Sequence, residues 1–206
     1  MDKSVLKATW QNILAASQKV KAGGVVVYPT DTVYGLGCDP FVTKAVERVF
    51  NVKNERRKPL PILASDTKTI ERIALFPERA KSIANEFWPG PLTIVVPKKP
   101  SLPSIVTCGL TSVGVRVPKH DTALQLIRLS NGLIIGTSAN RTGKKPPLSA
   151  QDAAAQLGTD VDLILDGGRA TLGVSSTVID LTSERPRILR RGPVDFGEIE
   201  RFLSKK

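Results

Sequence analysis

Short apolar runs alternate along this chain with longer stretches in which apolar residues recur at helical spacing. The clearest run is Val25-Val-Val-Tyr28, β-branched and aromatic residues following Gly23-Gly24, which predicts an interior strand entered from a turn. Pro29 ends it. Similar runs predict strands over Leu60–Ala64, Leu92–Val96, Val113–Val117 and Leu133–Gly136, and near Leu163–Leu165, Thr177–Leu181 and Arg187–Leu189. In Val113–Val117 the alternation turns Arg116 to the face opposite its valine neighbours. Helical spacing predicts helices over Val5–Ala22, Thr43–Phe50, Thr67–Ala74 capped by Ser65 or Asp66, and Pro77–Phe87. Three more are predicted from Asp121 or Thr122 to Leu129, over Ser149–Leu157, and over Phe196–Leu203. Helices between strands argue for a layered α/β domain, and the short Ser176–Arg191 stretch reads as a hairpin, so the sheet is mixed.

The first strand breaks into Pro29-Thr-Asp-Thr-Val-Tyr-Gly-Leu-Gly37, hydroxyls and a carboxylate where open α/β sheets bind ligands. Gly35 and Gly37 are read here as sites of close backbone approach to a ligand. Small polar residues recur at two later strand ends, Ser138 with Asn140, and Ser175-Ser-Thr177.

Charge sharpens the picture. Lys plus Arg exceed Asp plus Glu by 30 − 19 = 11, an excess that attracts anionic partners. The cations cluster beside Gly/Pro-rich segments, at Lys53 with Arg56-Arg57-Lys58, at Arg141 with Lys144-Lys145, and at Arg185, Arg187 and Arg190-Arg191. A nucleotide and a nucleic acid would both answer this description.

With 206 residues and no linker-like tract, one domain is expected. No apolar run approaches the roughly 20 residues that span a bilayer, and the first residues lack a signal-peptide core, so a soluble, cytoplasmic protein is expected. Cys38 and Cys108 lack metal-ligand or disulfide patterning, and Cys38 reads as a buried, inert thiol.

No Walker A spacing is present, and Gly35-Leu-Gly37 lacks the third glycine of a dinucleotide fingerprint. The lone histidine, His120, has no serine or cysteine motif beside it and reads as structural or surface-exposed. Without a nucleophile or a cluster of metal ligands, rate enhancement would come from positioning and cationic stabilisation, a nucleotidyl-transfer profile.

Several segments together resemble the YrdC-like family of L-threonylcarbamoyladenylate synthases. They are Gly23–Gly37, Lys53 with the following arginines and Lys58-Pro-Leu60, Trp88-Pro-Gly-Pro-Leu-Thr93, Val115-Arg-Val-Pro118, Ser138-Ala-Asn140, Asp166-Gly-Gly168, Ser176-Thr177 and Arg190-Arg-Gly-Pro193. They stand in family order and cover about residues 10–195. The resemblance implies a single YrdC-like domain over 1–206, an α/β (α+β by some schemes) three-layer fold with a twisted mixed parallel/antiparallel sheet flanked by helices. It also implies formation of threonylcarbamoyl-AMP and pyrophosphate from L-threonine, bicarbonate and ATP, with magnesium held mainly by the ATP phosphates and no protein metal ligands. The product would pass to a tRNA threonylcarbamoyl transferase, making this a nucleotidyltransferase of tRNA modification that could itself touch tRNA.

Carried across residue by residue, the resemblance puts Thr32, Arg116 and Ser176 at L-threonine. It puts Lys53, Arg56, Lys58, Ser112, Ser138, Asn140 and Arg190 at the nucleotide, with Lys53 and Arg56 stabilising transfer. The family's Lys-x-Arg reads Lys53-Asn-Glu55 here, with Arg56 one place later, and Ile62 and Leu63 occupy the neighbourhood where many members carry a threonine-contacting histidine. Two alternatives are an RNA-binding module without catalysis, and a nucleotide-binding paralogue of the same fold that performs another transfer.

Overall fold

The computed structural model describes residues 5–54 and 58–204. In chain order the elements are β1 (Val5–Lys7), α1 (Trp10–Lys21), β2 (Val26–Tyr28), β3 (Gly35–Gly37), α2 (Thr43–Lys53), β4 (Ile62–Ala64), α3 (Thr67–Ile70), α4 (Glu78–Phe87) and β5 (Leu92–Pro97). There follow β6 (Ser112–Arg116), α5 (Asp121–Leu129), β7 (Leu133–Ile135), β8 (Thr137–Ser138), α6 (Ala150–Leu157), β9 (Leu163–Asp166), β10 (Thr177–Asp180), β11 (Arg187–Arg190) and α7 (Phe196–Ser204).

The strands form two mixed sheets flanked by helices, one in the order β1-β9-β2-β3-β8 and the other β11-β10-β5-β6-β4-β7. The expected mixed α/β architecture is present, divided between these two sheets, and β10–β11 is the antiparallel hairpin read from the sequence.

β2 is buried on both faces. Val25 and Val27 join the larger core with α2 and α6, while Val26 and Tyr28 pack against α1 and α5 in the second cluster. β6 divides its faces differently: Val113 and Val115 enter the larger core, so alternation turns Arg116 out of it.

Three local expectations are corrected. The helix expected from Val5 starts at Trp10, because Val5–Lys7 pairs in parallel with Ile164–Asp166 and Thr9 caps the helix by accepting from the Asn12 N–H. The helix after Asp66 lasts one turn, capped by that aspartate as expected. The N-cap of α5 is His120, with Asp121 in the first turn, where its charge favours the helix dipole.

Gly35 and Gly37 do not clear space for a ligand. The ring of Tyr28 lies across both: a Cβ on Gly35 would stand 3.0 Å from Tyr28 Cζ, and one on Gly37 2.9 Å from Tyr28 Cε1 and 2.3 Å from the Ile135 carbonyl oxygen. Tyr28 donates its hydroxyl to that carbonyl at 2.8 Å, and burial pushes its pKa up. The glycines therefore let an aromatic ring fasten β2–β3 to the adjacent β7.

Candidate active site

The site lies where the sheets meet. From the first come the 29–34 loop between β2 and β3 and the end of β8; from the second come β4, the end of β6, and the outer ends of β10 and β11. The chain crosses between sheets at Gly136, and a Cβ there would lie 2.4 Å from Leu63 Cγ, so only a glycine lets this strand pass over Leu63.

One corner is built on Arg116. Its Nε donates to the Gly90 carbonyl at 2.8 Å, Nη1 to Thr32 Oγ1 at 3.0 Å, and Nη2 to Asp31 Oδ1 at 2.5 Å. The residue is 4% exposed. Burial lowers its pKa and the Asp31 carboxylate opposes that, leaving a guanidinium charged under any working condition.

Thr32 is oriented in turn. Thr30 donates its hydroxyl proton to the Val33 carbonyl at 2.6 Å, so in the 2.9 Å Thr30–Thr32 contact the proton belongs to Thr32. Thr32 Oγ1 thus gives its proton inward and takes one from Arg116. The loop is held from outside, with the Leu172 and Gly173 N–H groups donating to the Asp31 and Thr32 carbonyls, both at 3.0 Å.

The opposite corner is built on Lys53, at the end of α2. Its ammonium donates to the Ser138 carbonyl at 2.9 Å and the Asn140 carbonyl at 3.1 Å. Asn140 spends its amide nitrogen on the Arg141 and Lys144 carbonyls, both at 2.9 Å, while its buried Oδ1 has no hydrogen-bond partner. A buried acceptor without a donor in a cavity wall suits a ligand that brings one.

A third group joins the two. Arg190 donates through Nε to the Ser176 carbonyl at 2.9 Å and through Nη2 to Ser176 Oγ at 3.0 Å, and Ser176 shares a 2.8 Å hydroxyl contact with Thr93. Burial lowers the Arg190 pKa, and so does the nearby charge of Arg116. Two guanidinium groups of like charge lining one cavity suit an anionic ligand.

Thr32, Lys53, Lys58, Arg116, Ser138, Asn140, Ser176 and Arg190 all line this cavity of about 380 Å³, and none of its described lining residues is acidic. Ser112 does not line it. It stands in an adjoining cavity of about 570 Å³ that shares Lys58, Pro59, Leu60, Pro61, Thr93 and Arg190 with the first and adds Val95, Leu110, Val178 and Leu189. Arg56 lies outside the described residues.

Thr93 and Asp31 join the site residues named from the sequence, and Leu63 stands in the neighbourhood where the resemblance expects a threonine-contacting histidine. Leu63 is in register with Arg116 on the β4–β6 pair and lines the cavity beside it. Thr93 follows from alternation, because Ile94 belongs to the core and its neighbour must face the other way. Asp31 was visible as a carboxylate among hydroxyls, but its pairing with Arg116 depends on a contact 85 residues away.

Other expectations find their place outside the cavity. Cys38 is buried, and burial pushes its thiol pKa up. The Asp166-Gly-Gly168 segment is gripped by Tyr34, whose hydroxyl donates to the Gly168 carbonyl at 2.6 Å; burial pushes that phenol up to about 12. Among the described residues no group of three His, Cys, Asp or Glu side chains could hold a metal ion, and no helix is long and apolar enough to cross a membrane.

The family model Sua5/YciO/YrdC, described as telomere recombination, matches residues 18–192. A threonylcarbamoyl-AMP synthase of Pyrococcus abyssi is 41% identical over 198 residues, covering 95% of this chain and 58% of that protein. A putative threonylcarbamoyl-AMP synthase of Mycobacterium tuberculosis is 38% identical, covering 94% of this chain and 90% of that one. The solved structure of P. abyssi Sua5 complexed with L-threonine superposes with a TM-score of 0.91 at 42% identity, over 94% of this chain and 57% of that chain. This chain thus spans under two thirds of the longer P. abyssi relative and most of the M. tuberculosis one.

Proposed function

This chain belongs to the Sua5/YciO/YrdC family, and from that premise we propose that it is an enzyme, a nucleotidyltransferase that makes threonylcarbamoyl-AMP. Its substrates would be L-threonine, bicarbonate and ATP, and pyrophosphate would leave. The observation that carries the reading is a cavity in which a buried guanidinium, braced by Thr32 and Asp31, shares the lining with a second arginine and two lysines, and in which no described lining residue is acidic.

In this reading Arg116 takes the threonine carboxylate, with Thr32 beside it and Ser176 on the far side. The Leu63 side chain borders the same corner and offers apolar surface to the threonine methyl group. The triphosphate lies toward Lys53, Lys58 and Arg190, with Ser138 and Asn140 at its edge, and the resemblance alone assigns Arg56 to it. The adjoining cavity, lined by Leu110, Ser112, Val178 and Leu189 among others, suits the adenosine.

Threonine's amino nitrogen, once carboxylated by bicarbonate with loss of water, presents a carbamate oxygen to the α-phosphorus. The new P–O bond forms as the bond to the β-phosphate oxygen breaks. Lys53 and its neighbouring cations offset the charge that moves onto pyrophosphate, a contribution of preorganised positive groups. Magnesium would ride on the phosphates, since the described cavity residues supply cations, hydroxyls and carbonyls rather than carboxylates.

Residues 1–206 are proposed to act as one domain, because both sheets contribute to the cavity. The product would be handed to a transferase that modifies tRNA, and the basic surface is suited to the tRNA itself. On this reading the protein would work in the cytoplasm.

The experiment is pyrophosphate release measured with threonine, bicarbonate, magnesium and ATP, omitting each in turn. Strict dependence on threonine is the expected result. Release that ignores threonine would point to another transfer on the same fold, and absent release with tight, salt-sensitive tRNA binding would point to an RNA-binding module.

A further inference from the structure

The carboxylate that braces Arg116 is only half satisfied. Asp31 Oδ1 accepts from Arg116 Nη2 at 2.5 Å and from the Lys119 backbone N–H at 3.1 Å, whereas Oδ2 is buried and has no hydrogen-bond partner. The next residue along the chain, His120, carries a matching deficit, a buried Nδ1 with no partner.

These groups feel each other. The Asp31 charge acts on the imidazole, as does that of Asp121, against the opposing pull of burial. Lys119 is exposed and turns only its backbone N–H to Asp31. The ring is kept in this corner by the 167 turn: a Cβ on Gly167 would come within 3.4 Å of His120 Cε1 and 2.6 Å of Pro29 Cγ.

A buried carboxylate oxygen needing a donor and a buried ring nitrogen needing a partner are complementary, and a neutral imidazole can carry its single proton on either nitrogen. We propose that His120 is a positioning residue for the cavity: it carries its proton on Nδ1 and gives it to a water that in turn donates to Asp31 Oδ2, holding the carboxylate that aims Arg116. The order is therefore His120, Asp31, Arg116 and then substrate, with His120 touching no reacting atom. Its consequence for threonine rests on the synthase reading; the hydrogen bond itself does not.

The histidine is the only one in the chain, so its nitrogen resonances can be assigned without ambiguity. In the 206-residue chain, ¹⁵N NMR above the ring's pKa is expected to show the Nδ1–H tautomer. Asp31→Asn is expected to lower the ring's pKa, since the carboxylate favours the charged form. An Nε2–H tautomer, or a ring indifferent to Asp31→Asn in a folded protein, overturns the proposal.

Kinetics supply the second arm. Asparagine's amide nitrogen falls near the position of Nδ1 and glutamine's near Nε2. His120→Ala and His120→Gln are expected to raise the KM for threonine about tenfold while kcat and the KM for ATP stay within about twofold, and His120→Asn to restore most of the loss. Thermal melts confirm that each variant is folded. Equal losses for both substrates, or a folded His120→Asn no better than His120→Ala, overturn it. A wild-type protein that releases no threonine-dependent pyrophosphate would refute the synthase reading alone, and the NMR arm would still decide the hydrogen bond.

Discussion

Lys53 reaches across the molecule to the Ser138 carbonyl at 2.9 Å, joining the end of α2 to a strand end 85 residues later in the chain. With a second bond to the Asn140 carbonyl, the ammonium both charges the cavity and fastens one of its walls. Those two duties separate in a substitution. Lys53→Ala should lower turnover by on the order of 10²-fold, the usual loss when one preorganised positive group leaves a transition state. It should also strand two carbonyls and lower stability by about 2 kcal/mol. Steady-state pyrophosphate release and a denaturant melt measure the two effects; normal turnover would move the catalytic charge to another cation.

Arg116 makes a comparable claim on its surroundings. Arg116→Ala should weaken threonine use by about 2 kcal/mol, roughly 30-fold in KM. It should also cost about 3 kcal/mol of stability, because Asp31 is then a buried charge without its partner. Arg116→Lys should not recover threonine binding, since one ammonium cannot meet Gly90, Thr32 and Asp31 with the spacing of a planar fork. Threonine titrations at saturating ATP test this, and an unchanged threonine KM in either variant would remove Arg116 from the substrate's carboxylate.

The crossing between sheets offers a test by rescue. Gly136→Ala drives a methyl group into Leu63 and should cost about 2 kcal/mol, lowering the melting temperature by roughly 4–8 °C. In Leu63→Ala the obstructing carbons are gone. The double variant should therefore be less destabilised than the sum of the two singles, by on the order of 1 kcal/mol. Strict additivity in the melts would show that Gly136 answers to another constraint.

These residues also mark how far the sequence could be read. Val25–Tyr28, the β10–β11 hairpin and the outward turn of Arg116 follow from alternation and turn residues, which are local. Val5–Lys7 departs from the expected helix because three residues carry too little pattern to oppose the helix behind them, and their pairing with Ile164–Asp166 is remote. At Gly35 and Gly37 a sequence shows that space is needed but not what fills it, and the filler is Tyr28 from the neighbouring strand. The cations were legible as clusters. That Lys53 and Arg190 share a cavity, and that Ser112 stands in the next one, depends on how two sheets are set against each other.

Acid should weaken the fold through His120. Burial holds its imidazole below the usual 6.5 in the folded state, while the unfolded chain protonates at the ordinary value. Above about pH 6.5 neither state is charged at this position, and the histidine contributes no pH dependence. As the pH falls from 6.5 toward the folded pKa, the unfolded state binds the proton first, so stability declines through that window and levels off below it. Asp31 and Asp121 narrow the window by favouring the imidazolium. Urea melts between about pH 5 and pH 8 should show this slope in the wild type and lose it in His120→Asn, which has no group titrating there. A wild-type slope that survives the substitution would assign the acid sensitivity to another group.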